Sequence, residues 1–409
     1  MVSLVEVLQI IVDSLAAPLG LQLVVTGLVY AALVLSLNIE YGWAGIPNFG
    51  KVAFIAIGAI STHIVYYLYV FPRASSFYAE VDPQRFTLVG LEPGDYPRWP
   101  WDAGSYNAIM FQLHIAIPYL QEHLLALFEF MFVSAALAAV LGAITGLVMT
   151  YPVVRLREDY LAILLLMFSF MLWNFLTAIP ALVGGSQGFR ITYEPLEILG
   201  GGNVDYGRLV MIIAVFSLLY LFVDRLTHSP YGRTLRAMRD DELAAATMGK
   251  NIARLRLETV VVGSLLAAIG GVAFVFILFP SVTPDLFKPE VTFMLIAMML
   301  LGGAGNNVGA VVGVFAFLYI FRATTALTSN VAAAIGLGAI PEGLIRNVLT
   351  GLLIILVLFY RPRGMIPEES VKTPAWDVFK ARIGSLPPSA KGTIVLLLER
   401  LRRVVARRR

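Results

Sequence analysis

Absences in the 409-residue sequence exclude several classes of site. The chain has no cysteine, which excludes disulfides and thiolate metal sites. No Gly-x-x-x-x-Gly-Lys-Ser/Thr phosphate loop occurs, so we expect any nucleotide hydrolysis to belong to another chain. We therefore expect no metal, no cofactor and no catalytic residue. The four histidines form no pair at the spacing of a metal site; they are His63, His114, His123 and His228.

Charged residues are also scarce. They make up 14% of the chain, against about 25% in soluble domains, whereas hydrophobic residues make up 58%. Several apolar runs approach the roughly 20 residues with which a helix crosses the hydrocarbon, and the strict alternation of a membrane β-barrel is absent. The composition predicts an all-α polytopic membrane protein. Its formal net charge of +3 is modest, and we expect no nucleic-acid partner.

The apolar runs predict about nine transmembrane helices, with eight to ten compatible with the pattern. A shorter and more polar first segment, residues 1–18, is interpreted as an interfacial helix. The spans are expected at about 19–39, 52–70, 124–149, 160–182, 208–224, 257–279, 291–303, 308–322 and 343–360.

Positive charge predicts the orientation of these spans. When they alternate, Arg155, Arg157, the loop 225–256 and the arginine-rich tail fall on one side, which the positive-inside rule makes cytoplasmic. We therefore expect a multi-pass membrane protein with a cytoplasmic C-terminus. The permease domain would occupy 19–364. The basic tail, 365–409, would lie on anionic membrane lipids through an amphipathic helix.

Residues 71–123 form a long insertion on the opposite, extracytoplasmic side. It contains several acids and prolines and the aromatic sequence Tyr-Pro-Arg-Trp-Pro-Trp at 96–101. One interpretation is an outer cap that docks a partner or shields a pore mouth. The other, which we favour, is that Trp99 and Trp101 anchor the loop among lipid headgroups, where such rings are enriched.

The cytoplasmic loop 225–256 holds the most unusual sequence of the chain. Between Gly232 and Gly249, three arginines are followed by three acids and several alanines. Ser229 before Pro230 is typical of a helix start, an aspartate can cap a second turn, and a glycine can end it. We predict a short helical element at the membrane surface that a soluble partner binds. From the residues alone, an ordinary loop that only obeys the charge rule is equally compatible.

Glycine clusters interrupt two apolar stretches. Non-helical backbone at membrane depth is tolerated only where it packs inside protein or lines a wet cavity, and broken helices expose backbone ends that can bind an amino acid. We favour a role in the translocation pathway; close helix packing is the alternative, and we prefer it for Gly270 and Gly271. The candidate pathway residues are Gly42, Gly45, Asn48, Gly302, Gly303, Gly305 and Asn306.

A third glycine-rich stretch lies at the outer end of a span. It either shapes an outer mouth of the pathway or forms a flexible turn of the kind common at helix ends. Its residues are Gly184, Gly185, Ser186, Gln187 and Gly188.

Ionisable residues are few within the spans. Glu40, Lys51, Glu129 and Glu258 fall near predicted span ends, where snorkelling or interfacial water can solvate them. The sequence shows no chain of membrane carboxylates of the kind that ion-coupled carriers often use.

Several stretches, in the same order, resemble the ABC importer permeases of the branched-chain amino acid, LivM-type, family. The loop carries Gly-Arg-Thr-Leu-Arg-Ala-Met-Arg at 232–239, with Glu242 and Gly249 after it, and Leu-Gly-Gly-Ala-Gly-Asn-Asn-Val-Gly stands at 301–309. The resemblance covers most of the chain from about residue 30 to 365; the insertion and the long tail depart from the family pattern. The other similar stretches are 37–45, 154–162, 184–188 and 360–364.

The resemblance implies a location in a prokaryotic inner (plasma) membrane and a cytoplasmic coupling helix that docks into a separate ABC ATPase. It implies as partners ATPase subunits, a second related permease chain and an extracytoplasmic substrate-binding protein. The expected function is import of branched-chain or similar apolar amino acids by alternating access, with no catalysis in this chain. The implied docking element comprises Arg236, Arg239, Glu242, Ala245 and Gly249.

Other functions stay open at this point. An ion-coupled secondary transporter of small solutes would need no ATPase and should carry coupling residues within the membrane. A membrane-embedded enzyme would need a convergent His/Glu/Asp set, which the sequence does not offer. Within the ABC interpretation, urea or short amides are alternative substrates, because similar permeases serve them.

Overall fold

The structure is a computed structural model of the 409-residue chain. The predicted interfacial helix, most of the last predicted span and most of the basic tail lie outside the residues it describes. Those residues are 20–100, 102–152, 158–191, 196–197, 199–279, 281–335, 348, 351–352, 355, 359–360 and 364–368.

Long helices joined by short turns make up the described chain. The first half contains α1 (Leu21–Leu37), a π-helical segment (Asn38–Trp43), α2 (Lys51–Val65), a second π-helical turn (Tyr66–Val70), α3 (Phe71–Val81), α4 (Arg85–Val89), α5 (Tyr106–Phe111), a third π-helical turn (Gln112–Ala116), α6 (Ile117–Glu122) and α7 (Leu124–Thr150).

The second half has the same character, with two short strands. It contains α8 (Glu158–Ala178), α9 (Pro180–Val183), a 3-10 turn (Gly185–Gln187), β1 (Phe189–Arg190), α10 (Val204–His228), α11 (Pro230–Asp240), α12 (Glu242–Thr247), α13 (Ile252–Leu278), β2 (Ser281–Val282), a 3-10 turn (Pro284–Phe287), α14 (Glu290–Gly302) and α15 (Asn307–Ile335).

Seven of these helical stretches are long and apolar enough to cross a membrane, which confirms the predicted all-α polytopic class. The apolar helix α14 is shorter, with 13 residues. Eight of the predicted spans coincide with described helices; the ninth, 343–360, falls mostly outside the described residues. The seven stretches are Leu21–Trp43, Lys51–Val81, Leu124–Thr150, Tyr160–Ala178, Val204–His228, Ile252–Leu278 and Asn307–Thr324.

Helix α13 is the centre of the bundle. It is buried along most of its length and packs against α1, α2 and α7. A Cβ atom at Gly271 would overlap with the carbonyl oxygen of Ile55, and one at Gly58 with that of Ala268. Because these glycines lack side chains, the backbones of α2 and α13 lie in direct contact, which is the packing role that we preferred for Gly271.

The outer helices α7, α8 and α10 expose large apolar side chains instead. A helix that is apolar all round, and exposed, has lipid as its natural surroundings. Such exposed side chains on α7 and α10 include Phe132, Val140, Ile144, Leu218, Leu221 and Phe222.

The insertion is helical and packs onto the bundle. Its first 11 residues are α3, which continues α2 as one 31-residue helical stretch. Further along, the indole Nε1 of Trp99 donates to the carbonyl of Ala181 at 2.7 Å, and Gln112 Oε1 accepts from the amide of Arg190 at 3.1 Å. Trp99 therefore binds the protein itself, unlike the headgroup anchoring that we favoured from the sequence, and Trp101 lies outside the described residues.

Candidate functional site

The loop between α10 and α13 forms two short helices, as its residues predict. Ser229 Oγ accepts from the amide of Tyr231 at 3.2 Å, and Pro230 occupies the first turn of α11. Asp241 Oδ1 accepts from the amide of Ala244 at 2.9 Å and so caps α12. These side chains satisfy amides that a helix start leaves without partners, so the local sequence specifies where each helix begins.

Arg236 and Arg239 of α11 point toward the bundle. Arg239 Nη2 lies 2.7 Å from Glu368 Oε2, and its Nη1 donates to the carbonyl of Gly42. Arg236 Nε lies 3.1 Å from Glu368 Oε1, and its guanidinium stacks 4.0 Å above the ring of Trp43. The two predicted docking arginines thus attach α11 to the π-helical segment and to a carboxylate near the end of the described chain.

Two further predicted docking residues hold α12 against the rest of the protein. Glu242 forms an ion pair with Arg256 at the start of α13, and Ala245 is buried. By contrast, Leu243 of α12 is 81% exposed, and Met248, which directly follows the helix, is 82% exposed. Sequence reasoning missed these two side chains, although large apolar residues within an otherwise polar loop were the available signal.

Two glycine clusters meet beside this loop: the first contains Gly42 and Gly45, and the second contains Gly302, Gly303 and Gly305. A Cβ atom at Gly42 would overlap with the backbone nitrogen of Gly305, and one at Gly45 would lie 2.8 Å from Cγ of Arg239. Only glycine permits this approach, since any side chain would occupy the space of the facing backbone. The structure therefore brings candidate pathway residues that are distant in sequence into one contact with α11.

A buried asparagine network holds the clusters together. Asn307 Oδ1 accepts from Asn38 Nδ2 at 3.1 Å and from Trp43 Nε1 at 3.2 Å. Its Nδ2 donates to Thr227 Oγ1 at 2.9 Å, and Asn38 Oδ1 accepts from the amide of Gly305 at 3.0 Å. Satisfied polar networks of this kind stabilise one arrangement of the backbone against others. Sequence reasoning did not name Asn38 as a site residue.

The remaining residues of the second cluster have separate contacts. Gly302 packs directly on Gly309 of α15, which is the helix-packing alternative, and Gly303 lies against Gly364. Asn306 Nδ2 donates to the carbonyl of Pro367 at 3.3 Å.

Asn48 lies apart from the contact between Gly42 and Gly305. It belongs to the surroundings of a buried ion pair that the sequence did not lead us to expect. Glu40 and Lys51 are 3.0 Å apart and fully buried, and Asn48 Nδ2 donates to Glu40 Oε2 at 3.0 Å. Lys51 Nζ also donates to the carbonyl of Gly263, near the middle of the 27-residue α13, at 2.9 Å. Glu40 does lie near the end of the span Leu21–Trp43, and Lys51 begins the span Lys51–Val81, but the expectation that water solvates them there is wrong. Protein groups replace water around both charges.

The stretch 184–188 forms a tight turn at the end of the bundle that carries the insertion. Gly184, Gly185 and Gly188 all have positive φ angles, between 61° and 79°. The next residue, Phe189, pairs with Val282 in the two-residue antiparallel sheet. A Cβ atom at Gly104 of the insertion would lie 3.0 Å from the carbonyl of Gly184. The insertion therefore packs directly on the predicted outer mouth.

Within the described residues, no group of three or more histidine, aspartate and glutamate side chains is placed to hold a metal ion.

Burial raises the pKa of Tyr231, whose hydroxyl lies 3.2 Å from Thr259 Oγ1. Tyr231 thus adds a neutral contact between α11 and α13 to the charged ones above.

Comparison with known proteins decides the family. The profile described as the permease component of branched-chain amino acid transport systems matches residues 20–358. The chain belongs to this family. It is an ABC-type permease of the LivM type and a multi-pass membrane protein.

Its relatives carry the same description. A probable branched-chain amino acid transport permease protein LivM of Methanocaldococcus jannaschii is 31% identical over 345 residues, which is 84% of this chain and 92% of the relative. The high-affinity branched-chain amino acid transport permeases LivM of Salmonella typhimurium and Escherichia coli are each 24% identical over 260 residues, or 56% of either chain. No solved structure matches the chain.

Proposed function

We propose that this permease is the membrane-spanning subunit of an ATP-driven importer of branched-chain or similar apolar amino acids. It would lie in a prokaryotic inner membrane with its C-terminus in the cytoplasm. The observation that carries the proposal is the two-sided loop α11–α12. Its inner side is attached by Arg236, Arg239 and Glu242, while its outer side exposes Leu243 and Met248. Exposed apolar side chains on a firmly attached polar loop favour a docking surface for a soluble ATPase.

The inward contacts of α11 suggest how an ATPase would act on the pathway. Arg239 contacts the carbonyl of Gly42, whose backbone lies against Gly305. Closure of the ATPases would displace α11 and α12 together and pull on this contact. Movement of this contact together with the loop would open the cytoplasmic end of the path, and its return would close it. This is alternating access, with the chemistry of hydrolysis on a separate ATPase subunit.

Two further partners complete the proposed importer. A second, related permease chain would supply the other wall of the path. An extracytoplasmic substrate-binding protein would deliver cargo to the turn 184–188, against which Gly104 of the insertion packs. The substrate class rests on the transport described for the relatives.

Co-purification from native membranes in mild detergent tests the docking surface, with mass spectrometry to identify what is retained. We expect an ABC ATPase to be retained by the wild-type chain. Leu243→Arg should reduce its retention about tenfold or more, because it places a charge in the apolar centre of the contact. Leu88→Arg is the matched control for retention, since Leu88 is 65% exposed but belongs to the insertion.

Liposomes that contain the co-purified complex then test the transport. Leucine uptake should require ATP inside the liposomes and the binding protein outside them. A chain that is purified alone and takes up leucine without ATP would contradict the proposal and favour an ion-coupled carrier. Retention of the ATPase by Leu243→Arg at the wild-type level would contradict the proposed docking surface alone.

A further inference from the structure

The described segment 364–368, which follows the last predicted span, returns to the glycine-broken end of α14. The amide of Met365 donates to the carbonyl of Leu301 at 2.9 Å, and that of Ile366 donates to the carbonyl of Gly302 at 2.8 Å. The last carbonyls of a helix have no partner within the helix. The backbone of this segment therefore caps α14 where the second glycine cluster begins.

The same segment ends on a carboxylate that binds the coupling loop. Glu368 uses both oxygens, one 3.1 Å from Arg236 Nε and the other 2.7 Å from Arg239 Nη2. The carboxylate is 26% exposed, and the two guanidinium groups are 19% and 23% exposed. Its contacts are thus largely shielded from solvent, unlike those of an ordinary surface ion pair.

Glu368 joins three parts of the molecule that are distant in sequence. Arg239 also donates to the carbonyl of Gly42, and Arg236 stacks on Trp43, so both arginines hold the π-helical segment as well. Through its own backbone segment the carboxylate is attached to the end of α14. Without Glu368, α11 would keep its contacts with the π-helical segment but lose its ion pairs to the segment that caps α14.

We propose that Glu368 is a positioning residue that makes α14 and its glycine break move together with α11. This inference rests on the proposed function, because it assumes that an ATPase displaces α11. When α11 moves, Arg236 and Arg239 pull the Glu368 carboxylate, and the segment 364–368 transmits the displacement to the end of α14. Both sides of the contact between Gly42 and Gly305 are then driven by one loop.

The test compares Glu368→Gln with wild type in liposomes that contain the full importer, with ATP hydrolysis and leucine import measured on the same sample. Glutamine keeps the shape of the side chain and leaves the backbone cap of α14 in place. We expect the variant to retain its ATPase and to hydrolyse ATP. Leucine imported per ATP should fall about fivefold or more, the lower end of typical coupling between sites. Glu368→Asp, which keeps the charge, should restore part of the ratio.

Glu258→Gln is the matched control. Glu258 also pairs with an arginine of the same region, Arg254, but within one helix, so its loss should leave import per ATP unchanged. An unchanged ratio in Glu368→Gln would overturn the inference while wild-type import upholds the proposed function. Loss of the ATPase from Glu368→Gln during purification would also overturn it, since Glu368 would then serve docking. A wild-type importer that shows no ATP-dependent import would refute the proposed function itself.

Discussion

The buried ion pair between Glu40 and Lys51 leads to the sharpest prediction about stability. Its two charges are 3.0 Å apart and fully buried, and Gly263 lies so close that a Cβ atom there would overlap with Glu40 Oε1. Lys51→Met removes the positive charge with little change in volume. The carboxylate of Glu40 would then stay buried, with the amide of Asn48 as its only remaining partner among the described side chains.

The expected cost follows from this burial. Removing one partner of a buried ion pair typically destabilises a protein by about 3–5 kcal/mol, because the other charge stays uncompensated. Replacing both charges with neutral groups of similar volume is often neutral or even stabilising. In Glu40→Gln/Lys51→Met, the glutamine oxygen can still accept from Asn48. We therefore expect the double variant to be more stable than Lys51→Met alone, by most of that cost.

Thermal unfolding of the purified permease in detergent, followed as the fraction that stays monodisperse, measures the order of stability. We expect wild type and the double variant to unfold at higher temperatures than Lys51→Met. Lys288→Met is the matched control, because Lys288 pairs with Asp285 at 2.9 Å but lies at an exposed site, where ion pairs contribute little. Equal melting temperatures for Lys51→Met and wild type, or a double variant less stable than Lys51→Met, would refute the reasoning.

Two further substitutions test the candidate site. Glu242→Lys places a second positive charge beside Arg256. The permease should stay in the membrane while ATP-driven leucine import falls about tenfold or more. Import at the wild-type rate would contradict the proposed coupling role of Glu242. Gly42→Val forces a side chain into the backbone of Gly305, so the yield of folded protein should fall strongly. Gly351→Ala is the control, because the new methyl group would lie in open space, and it should express normally. Folded Gly42→Val at the wild-type yield would show that the two glycine clusters can separate freely.

Much of the fold could be predicted because its signals are local. A run of apolar residues is long enough to cross a membrane wherever it occurs, and most predicted spans coincide with helices for that reason. Ser229 and Asp241 cap the helices that they precede, since a capping side chain reaches only two or three residues ahead. The two short helices between α10 and α13 could therefore be predicted before any tertiary contact was known.

The inward contacts of that loop were not predictable in the same way. Arg236 and Arg239 belong to a run of charge that a surface helix could equally turn toward solvent or toward a partner. Their actual partner, Glu368, lies more than a hundred residues further along the chain. Nothing in the local pattern distinguishes a carboxylate that binds the loop from any other carboxylate near the tail.

The sequence by itself determined the membrane class through composition, the family through the order of its motifs, and the starts of α11 and α12 through short-range hydrogen bonds. Only the tertiary structure decided where charge lies inside the bundle. Glu40 and Lys51 flank a stretch of chain that hydropathy treats as a connection near the membrane surface. Lys51 instead donates to the carbonyl of Gly263 in α13, and the amide of Val52 donates to Thr292 near the start of α14, so the end of this stretch lies inside the bundle. The burial of a residue in a membrane protein depends on which distant backbone it packs against, and that is a property of the whole fold.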